Sequence, residues 1–370
     1  MVDKKFWQSS FTLTGTIVGA GILGLPYVFS KSGFLIGLFW LIFIGLILMY
    51  INLCLGEVAL RTKTKHQLTG YASKYLGKWG ARIMLFSVIF GIYSALIAYM
   101  TAEGQSLSML FIGHEGYALL FGICFWIVMT LFLQGGLEGL KKVEMVVVSI
   151  IILLIIAMFL YLAPNIKIEN ISYYDFGNLF FPFGVVMFSL LGFSSIAEVR
   201  RELEGAEKKM KQAIIIGCSI PIVLYILFTI VFVGIMGKTI SEVATLTLGT
   251  WPILLGVFTM TSAFFVLSFS LRDNFILDLR FKKLKTFFFV SIVPLVLYII
   301  IQYLNLFDFV KILGIGGVIT GGLTGVMALL MNISAKKNGN RKPEYSVGIN
   351  WLIFLVLSLV FVFGIILELY

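Results

Sequence analysis

Glu57, Glu103 and Glu198 each lie inside or at the edge of a long apolar run. A lone charge at membrane depth is costly, so such acids pair with a base, carry a proton or border a water-filled path. Glu57 has Arg61 four residues on, and Glu198 is followed by Arg200 and Arg201, so ion pairs or interfacial solvation account for both. Glu103 has no base near it in the sequence. It is the first choice for a protonatable coupling group, the alternative being a structural role towards the outer end of its span.

A second kind of chemistry is offered by backbone. The string GTIVGAGILGLP, residues 15–26, carries Gly15, Gly19, Gly21 and Gly24 ahead of Pro26. Each Gly weakens a helix by about 1 kcal/mol relative to Ala, and Pro removes a donor and crowds the preceding turn. Two readings are open: a small-residue face for helix packing, since Gly15 and Gly19 have the G-x-x-x-G spacing, or a broken helix. A second weak point, FPFGVVMFSLLGFSSIAEV at residues 181–199, holds Pro182, Gly184, Ser189, Gly192, Ser194 and Ser195. Corresponding breaks in two halves of a chain mark an inverted repeat with its site at the membrane midplane. That favours the break. Unwound backbone survives in lipid only where something satisfies it, and a zwitterion does so at both ends. Its carboxylate suits N–H groups near Gly19, Ala20 and Gly21, at the positive start of a half-helix. Its ammonium suits carbonyls near Phe188 and Ser189, and glycine allows the close approach.

Long helices must position these breaks. The chain is 60% hydrophobic and only 12% charged, with a mean hydropathy of +1.04, outside the range of soluble domains. Apolar runs of about 20 residues recur from Phe6 to the end, giving an all-α polytopic membrane protein of about eleven transmembrane helices. The run after Lys4 and Lys5 continues past Pro26 without a cleavage site and reads as a retained span, not a leader. Span four is expected to end at 136, and residues 62–79 are expected to form a short connector on the membrane surface. With the N-terminus cytoplasmic, 24 of the 28 Lys and Arg fall inside, and only Lys31, Lys167, Lys238 and Lys311 fall outside. This places the C-terminus outside the cell membrane. The net charge of +10 then answers to anionic lipid and not to nucleic acid. Cys54, Cys124 and Cys218 lie in apolar runs, and neither they nor His66 and His114 have metal-ligand spacing. No catalytic constellation stands out, so an enzyme is not expected, nor any cofactor beyond a coupling ion. Residues 1–370 read as one domain with an inverted 5+5 repeat, 6–163 and 176–333, and an added span at 348–369.

The strings GTIVGAGILGLPYVFSKSGFLIG, GEVALRT at Gly56 to Thr62, ALIAYMTAEGQSL in span three and GFSSIAEVRRELEGAEKKMKQAIIIGCSIPIVLY resemble the amino acid/auxin permease family and its hydroxy/aromatic amino acid permease relatives, within the amino acid/polyamine/organocation superfamily. The resemblance implies a leucine-transporter-type secondary transporter that moves amino acids with a proton or sodium ion. It puts substrate contacts on Thr16, Gly19, Ala20 and Gly21, on Phe188, Ser189 and Gly192, and on Tyr99, for which Tyr93 competes. By the same resemblance Thr261 and Ser262 would share a sodium ion with the carbonyls of Gly15 and Val18. Ile22 stands where a second sodium site of the fold wants Asn, which puts that site in doubt. The apolar surroundings lean towards a neutral or aromatic substrate. A sensor that keeps the pocket without transporting is the rival; it would be expected to carry long soluble extensions, which this sequence lacks. A channel is disfavoured, because no selectivity-filter motif or charged ring is present. Oligomeric state is not legible.

Overall fold

A computed structural model describes residues 2–134 and 140–369, so the expected end of span four at 136 lies outside it. The described residues form helices and connecting turns without strands. Ten helical segments are long and apolar enough to cross a membrane, and a bent pair, with 56° between its halves, makes the eleventh. Span one is that pair, Val2–Ile17 and Gly21–Ser32. Spans two to five are Phe34–Leu60, Leu68–Ile112, Ala118–Gln134 and Leu140–Leu162. Span six is also interrupted: Phe183–Ser189 leads, a tight turn follows at Phe193–Ser195, and Ile196–Glu202 trails. Spans seven to eleven are Met210–Met236, Thr250–Asp273, Lys283–Tyr303, Phe309–Asn338 and Trp351–Leu369.

Apolar side chains all round a helix mean that each span faces either protein or lipid. Spans six and ten are mostly buried, whereas five and eleven turn residues such as Leu153, Leu160, Leu352 and Leu359 outwards. This is a polytopic membrane protein with six and ten near its centre. The breaks lie where the sequence weakens the helix. Span one loses regular helix between Ile17 and Gly21, and span six between Ser189 and Ile196. Pro182 sits at the N-cap of the leading half of span six, where its missing N–H costs nothing.

The connector expected at residues 62–79 holds a short helix. Residues 68–76 form it, set off from span three by the break at Gly77, whose φ is 73°. Leu68, Tyr71, Ala72 and Tyr75 recur at helical spacing and are buried, so this stretch has an apolar face directed into the protein.

Polar ties fix the ends on the N-terminal face. Glu57 is wholly buried, with Oε1 accepting from Arg61 Nε at 2.8 Å and Ser346 Oγ at 2.8 Å. Its Oε2 accepts from the Val347 N–H at 2.8 Å and Asn332 Nδ2 at 3.1 Å, joining spans two and ten to the segment before span eleven. Glu198 pairs with Arg201 at 3.0 Å, so both acids flanked by arginine form ion pairs. Thr12 and Gln8 donate to Glu202 Oε1, fastening the leading half of span one to the trailing half of span six.

Candidate functional site

The two breaks touch. A methyl on Gly21 would lie 2.4 Å from Ser189 Cα, a distance only glycine permits. Gly192 packs the same way, since a methyl there would come within 2.8 Å of the Ile17 side chain. Tyr99 arrives from span three. Its hydroxyl faces the Gly19–Ala20 backbone and would stand 2.4 Å from a methyl on Gly19. Tyr93, its competitor in the sequence, donates instead to the Phe289 carbonyl of span nine at 2.6 Å.

Around these groups lies a cavity of about 90 Å³ lined by Thr16, Gly19, Ala20, Gly21, Tyr99 and Phe188, with Ile17, Leu68, Val88, Ile92 and Thr320 among the rest of its wall. Six of the eight expected substrate contacts therefore border one space. Ser189 and Gly192 do not line it; they hold one break against the other. The carbonyls expected to be free near them have partners. Phe188 O accepts from the Leu191 N–H at 3.2 Å, and Ser189 O accepts from the Tyr225 hydroxyl at 2.8 Å. A carbonyl has two lone pairs, so neither is saturated.

The coupling residues regroup. Thr261 Oγ1 donates to Glu103 Oε1 at 3.2 Å, joining span eight to span three. Glu103 is fully buried, and its Oε2 has no partner among the described residues. Thr261 and Ser262 both line a vestibule of about 380 Å³, whereas Gly15 and Val18 line neither that space nor the cavity.

Thr16, Ser194 and Leu267 border both spaces. The vestibule runs on past Phe258 and Phe265 to Glu198, Arg201 and Asp273 on the N-terminal face. A third chamber of about 800 Å³ lies at the opposite face, lined by Tyr27, Phe181, Glu242, Asp308 and Lys311 among others, and no described residue lines both it and the cavity. The leading half of span six divides them, with Phe183 and Val185 on the chamber and Phe188 on the cavity. The cavity thus shares wall residues with the space that reaches the N-terminal face and none with the chamber at the other. At the chamber wall Glu242 Oε2 accepts from the Val310 N–H at 3.4 Å. Burial first, then the Asp308 carboxylate, push its carboxyl up to about 7.

Two contributors escaped the sequence reading. Tyr225 had one available signal, a hydroxyl in an apolar span that must find a partner. The other is a glycine stripe in span ten, visible in KILGIGGVITGGLTG at residues 311–325. Gly314, Gly317 and Gly321 approach Gly184, Phe188 and Met187 of span six or the Glu368 carboxylate beside them, which lets two backbones lie close together.

Fold and site together define a polytopic membrane protein built around a backbone-walled cavity at two interrupted helices. Over residues 2–369 the sequence matches the tryptophan/tyrosine permease family, and the chain belongs to that family. Among its relatives, the tyrosine-specific transport system 2 of Haemophilus influenzae is 28% identical over 249 residues, 65% of this chain and 60% of that protein. The glutamine transporter 2 of Aliivibrio fischeri is 23% identical over 63% of this chain and 62% of its own length. The low affinity tryptophan permease of Proteus vulgaris is 24% identical over 63% and 58%. The chain thus spans about three fifths of the length of the relatives it matches.

Proposed function

We propose that this protein is a secondary active amino acid transporter working by alternating access. The observation that carries the reading is the cavity at the paired breaks, joined to one face and divided from the other by half a helix. In this reading the substrate carboxylate sits on the backbone at Gly19 to Gly21, where a half-helix begins and its dipole favours an anion. The side chain lies against Tyr99 and Phe188 and extends towards Phe258 and Phe265 in the vestibule. Apolar walls and relatives named for tyrosine, tryptophan and glutamine favour a neutral substrate, aromatic by preference.

Spans one to five and six to ten serve as inverted repeats in this mechanism, with the N-terminal face cytoplasmic and the C-terminus outside. Glu103, with Thr261 as its switchable donor, is the group we assign to proton coupling; Ser262 beside the vestibule is the residue left for a sodium-coupled alternative. The test is uptake of a panel of labelled amino acids into proteoliposomes under imposed proton or sodium gradients. Accumulation of tyrosine or tryptophan under one gradient is expected. If no amino acid accumulates under either, the reading fails.

A further inference from the structure

Three threonines border the cavity, and the hydroxyls of two are already engaged. Thr16 Oγ1 donates to the Thr12 carbonyl at 2.9 Å, and Thr324 Oγ1 pairs with Ser87 Oγ at 2.8 Å. Thr320 of span ten is only 9% exposed, yet its Oγ1 meets no donor or acceptor among the described residues. A helical Ser or Thr commonly bonds the carbonyl four residues back. Ser94 and Thr101 on span three do so, at 3.0 and 2.9 Å, and Thr320 does not. A buried hydroxyl without a partner costs free energy, which a ligand that bonds it recovers.

The surroundings of Thr320 say what such a ligand group would be. Its side chain stands against Gly91 of span three, where a methyl would lie 2.6 Å from both Oγ1 and Cγ2. Gly91 lines the cavity too, so the missing side chain there keeps this end of the space from being filled. Phe188 lies one turn away, since a methyl on Gly316, four residues before Thr320, would come 3.3 Å from Phe188 Cδ2. Val88, Gly91, Thr320 and Thr324 border the cavity and not the vestibule, whereas Thr16, Ser194 and Leu267 border both. A ring that lies on Phe188 with its bulk towards the vestibule therefore turns an edge to span ten. Val88 and Ile92 make the wall beside Thr320 apolar, so the hydroxyl is a single polar point on it.

We propose that Thr320 is a specificity-determining residue whose hydroxyl bonds an N–H or O–H carried by the aromatic ring of the substrate, an indole or a phenol, an inference that rests on the amino acid reading above. One hydroxyl both donates and accepts, so it serves either group. A ring without a polar hydrogen leaves it unpaired and is disfavoured. The backbone at the breaks binds what all amino acids share, and Thr320 tests what differs between them.

The experiment measures uptake by the full chain in proteoliposomes in two arms. Labelled tryptophan is competed by unlabelled tryptophan or by 3-benzothienylalanine, in which sulfur replaces the indole N–H, and labelled tyrosine is competed by tyrosine or phenylalanine. Wild type should favour the polar member of at least one pair by about tenfold, the worth of one buried neutral hydrogen bond; the arm that responds tells indole from phenol. Thr320→Val keeps the shape and loses the hydroxyl, so the ratio should fall to within about twofold of one, through a higher KM for the polar member and an unchanged inhibition constant for the apolar one. Thr320→Ser returns a hydroxyl and should return most of the preference. A structural role would weaken both members alike and leave the ratio as it was. Should Thr320→Val fail to insert, Thr320→Ala carries the same expectation in a span already rich in glycine. An unchanged ratio in either variant, or a lost ratio that Thr320→Ser does not restore, overturns the proposal. Wild-type protein that binds no amino acid removes the transport reading itself, whereas transport without either preference overturns this proposal alone.

Discussion

Replacing Gly21 by Ala should impair transport more than replacing Gly19 by Ala, although the two glycines are two residues apart in the same break. A methyl on Gly21 would meet Ser189 Cα at 2.4 Å, Cβ at 2.5 Å and N at 3.1 Å, against 3.4–4 Å for ordinary contact. Two of those three atoms are backbone and none is the end of a mobile side chain, so the breaks must part by about 1 Å. Overpacking of this kind costs about 1–3 kcal/mol, or roughly 5- to 150-fold in the population of this arrangement at 1.4 kcal/mol per decade. A methyl on Gly19 also finds its first neighbour at 2.4 Å, but that atom is the Tyr99 hydroxyl, which can swing away on its ring. The cost there is that of turning one side chain off its rotamer, about 0.5–1.5 kcal/mol and roughly 2- to 12-fold. Initial uptake rates at matched protein per liposome, with thermal unfolding as a check on folding, measure the order. Wild-type uptake in Gly21→Ala, or Gly19→Ala as the more damaging change, would refute the close backbone contact as the heart of the site.

Other perturbations probe the surroundings. Glu57→Ala leaves Arg61, Asn332 and the Val347 N–H without their buried acceptor and should cost about 3–5 kcal/mol; an unfolding midpoint equal to wild type would contradict this. Glu242 has a folded value of about 7, above the ordinary carboxyl value of about 4.3. The contact of its loop with the start of span ten is therefore at full strength below the ordinary value and weakens as pH rises through about 7. Hydrogen-exchange protection factors at residues 241–249, corrected for the intrinsic pH dependence of exchange, should fall between pH 6 and 8 (roughly the window around that value) in wild type and not in Glu242→Gln, and equal corrected profiles would count against it. Glu103→Gln keeps the size of the side chain and removes the proton it can exchange. It should abolish accumulation driven by a proton gradient while exchange of substrate across the membrane persists, and unimpaired accumulation would exclude Glu103 as the carrier.

The main outlines were legible because lipid leaves few choices. Twenty apolar residues in a row have only helix open to them, and clustered glycines with proline mark where that helix weakens, so both broken spans could be placed once the two weak points were read together. Residues 68–76 were harder. Their lysines suggested a surface, and only the spacing of Leu68, Tyr71, Ala72 and Tyr75 hinted that one face turns inwards. Tyr99 could not be separated from Tyr93 by sequence, since both sit on span three six residues apart; the difference lies in what each hydroxyl meets, Ala20 or Phe289. Thr261 was paired with Gly15 and Val18 by analogy with sodium sites. It meets Glu103 instead, a contact between spans that no local pattern announces.

The helices at the two faces are held by different physics, and this bears on how such a protein would alternate. On the N-terminal face, the leading half of span one and the trailing half of span six are tied by Thr12 and Gln8 to Glu202 and by Lys5 to the Glu204 carbonyl. They can move only together unless those bonds break. Towards the opposite face, the leading half of span six lies on the glycines of span ten, with Tyr27 and Phe181 rings 6.2 Å apart above it. Contacts of that kind are shape without directed bonds, so sliding along them leaves few hydrogen bonds unmade. The arrangement assigns the moving unit to the polar-tied halves and the sliding surface to the glycine stripe. A bulky residue at Gly317, where a methyl would already stand 2.4 Å from Gly184 O, should accordingly block the conformational change even though Gly317 does not line the cavity.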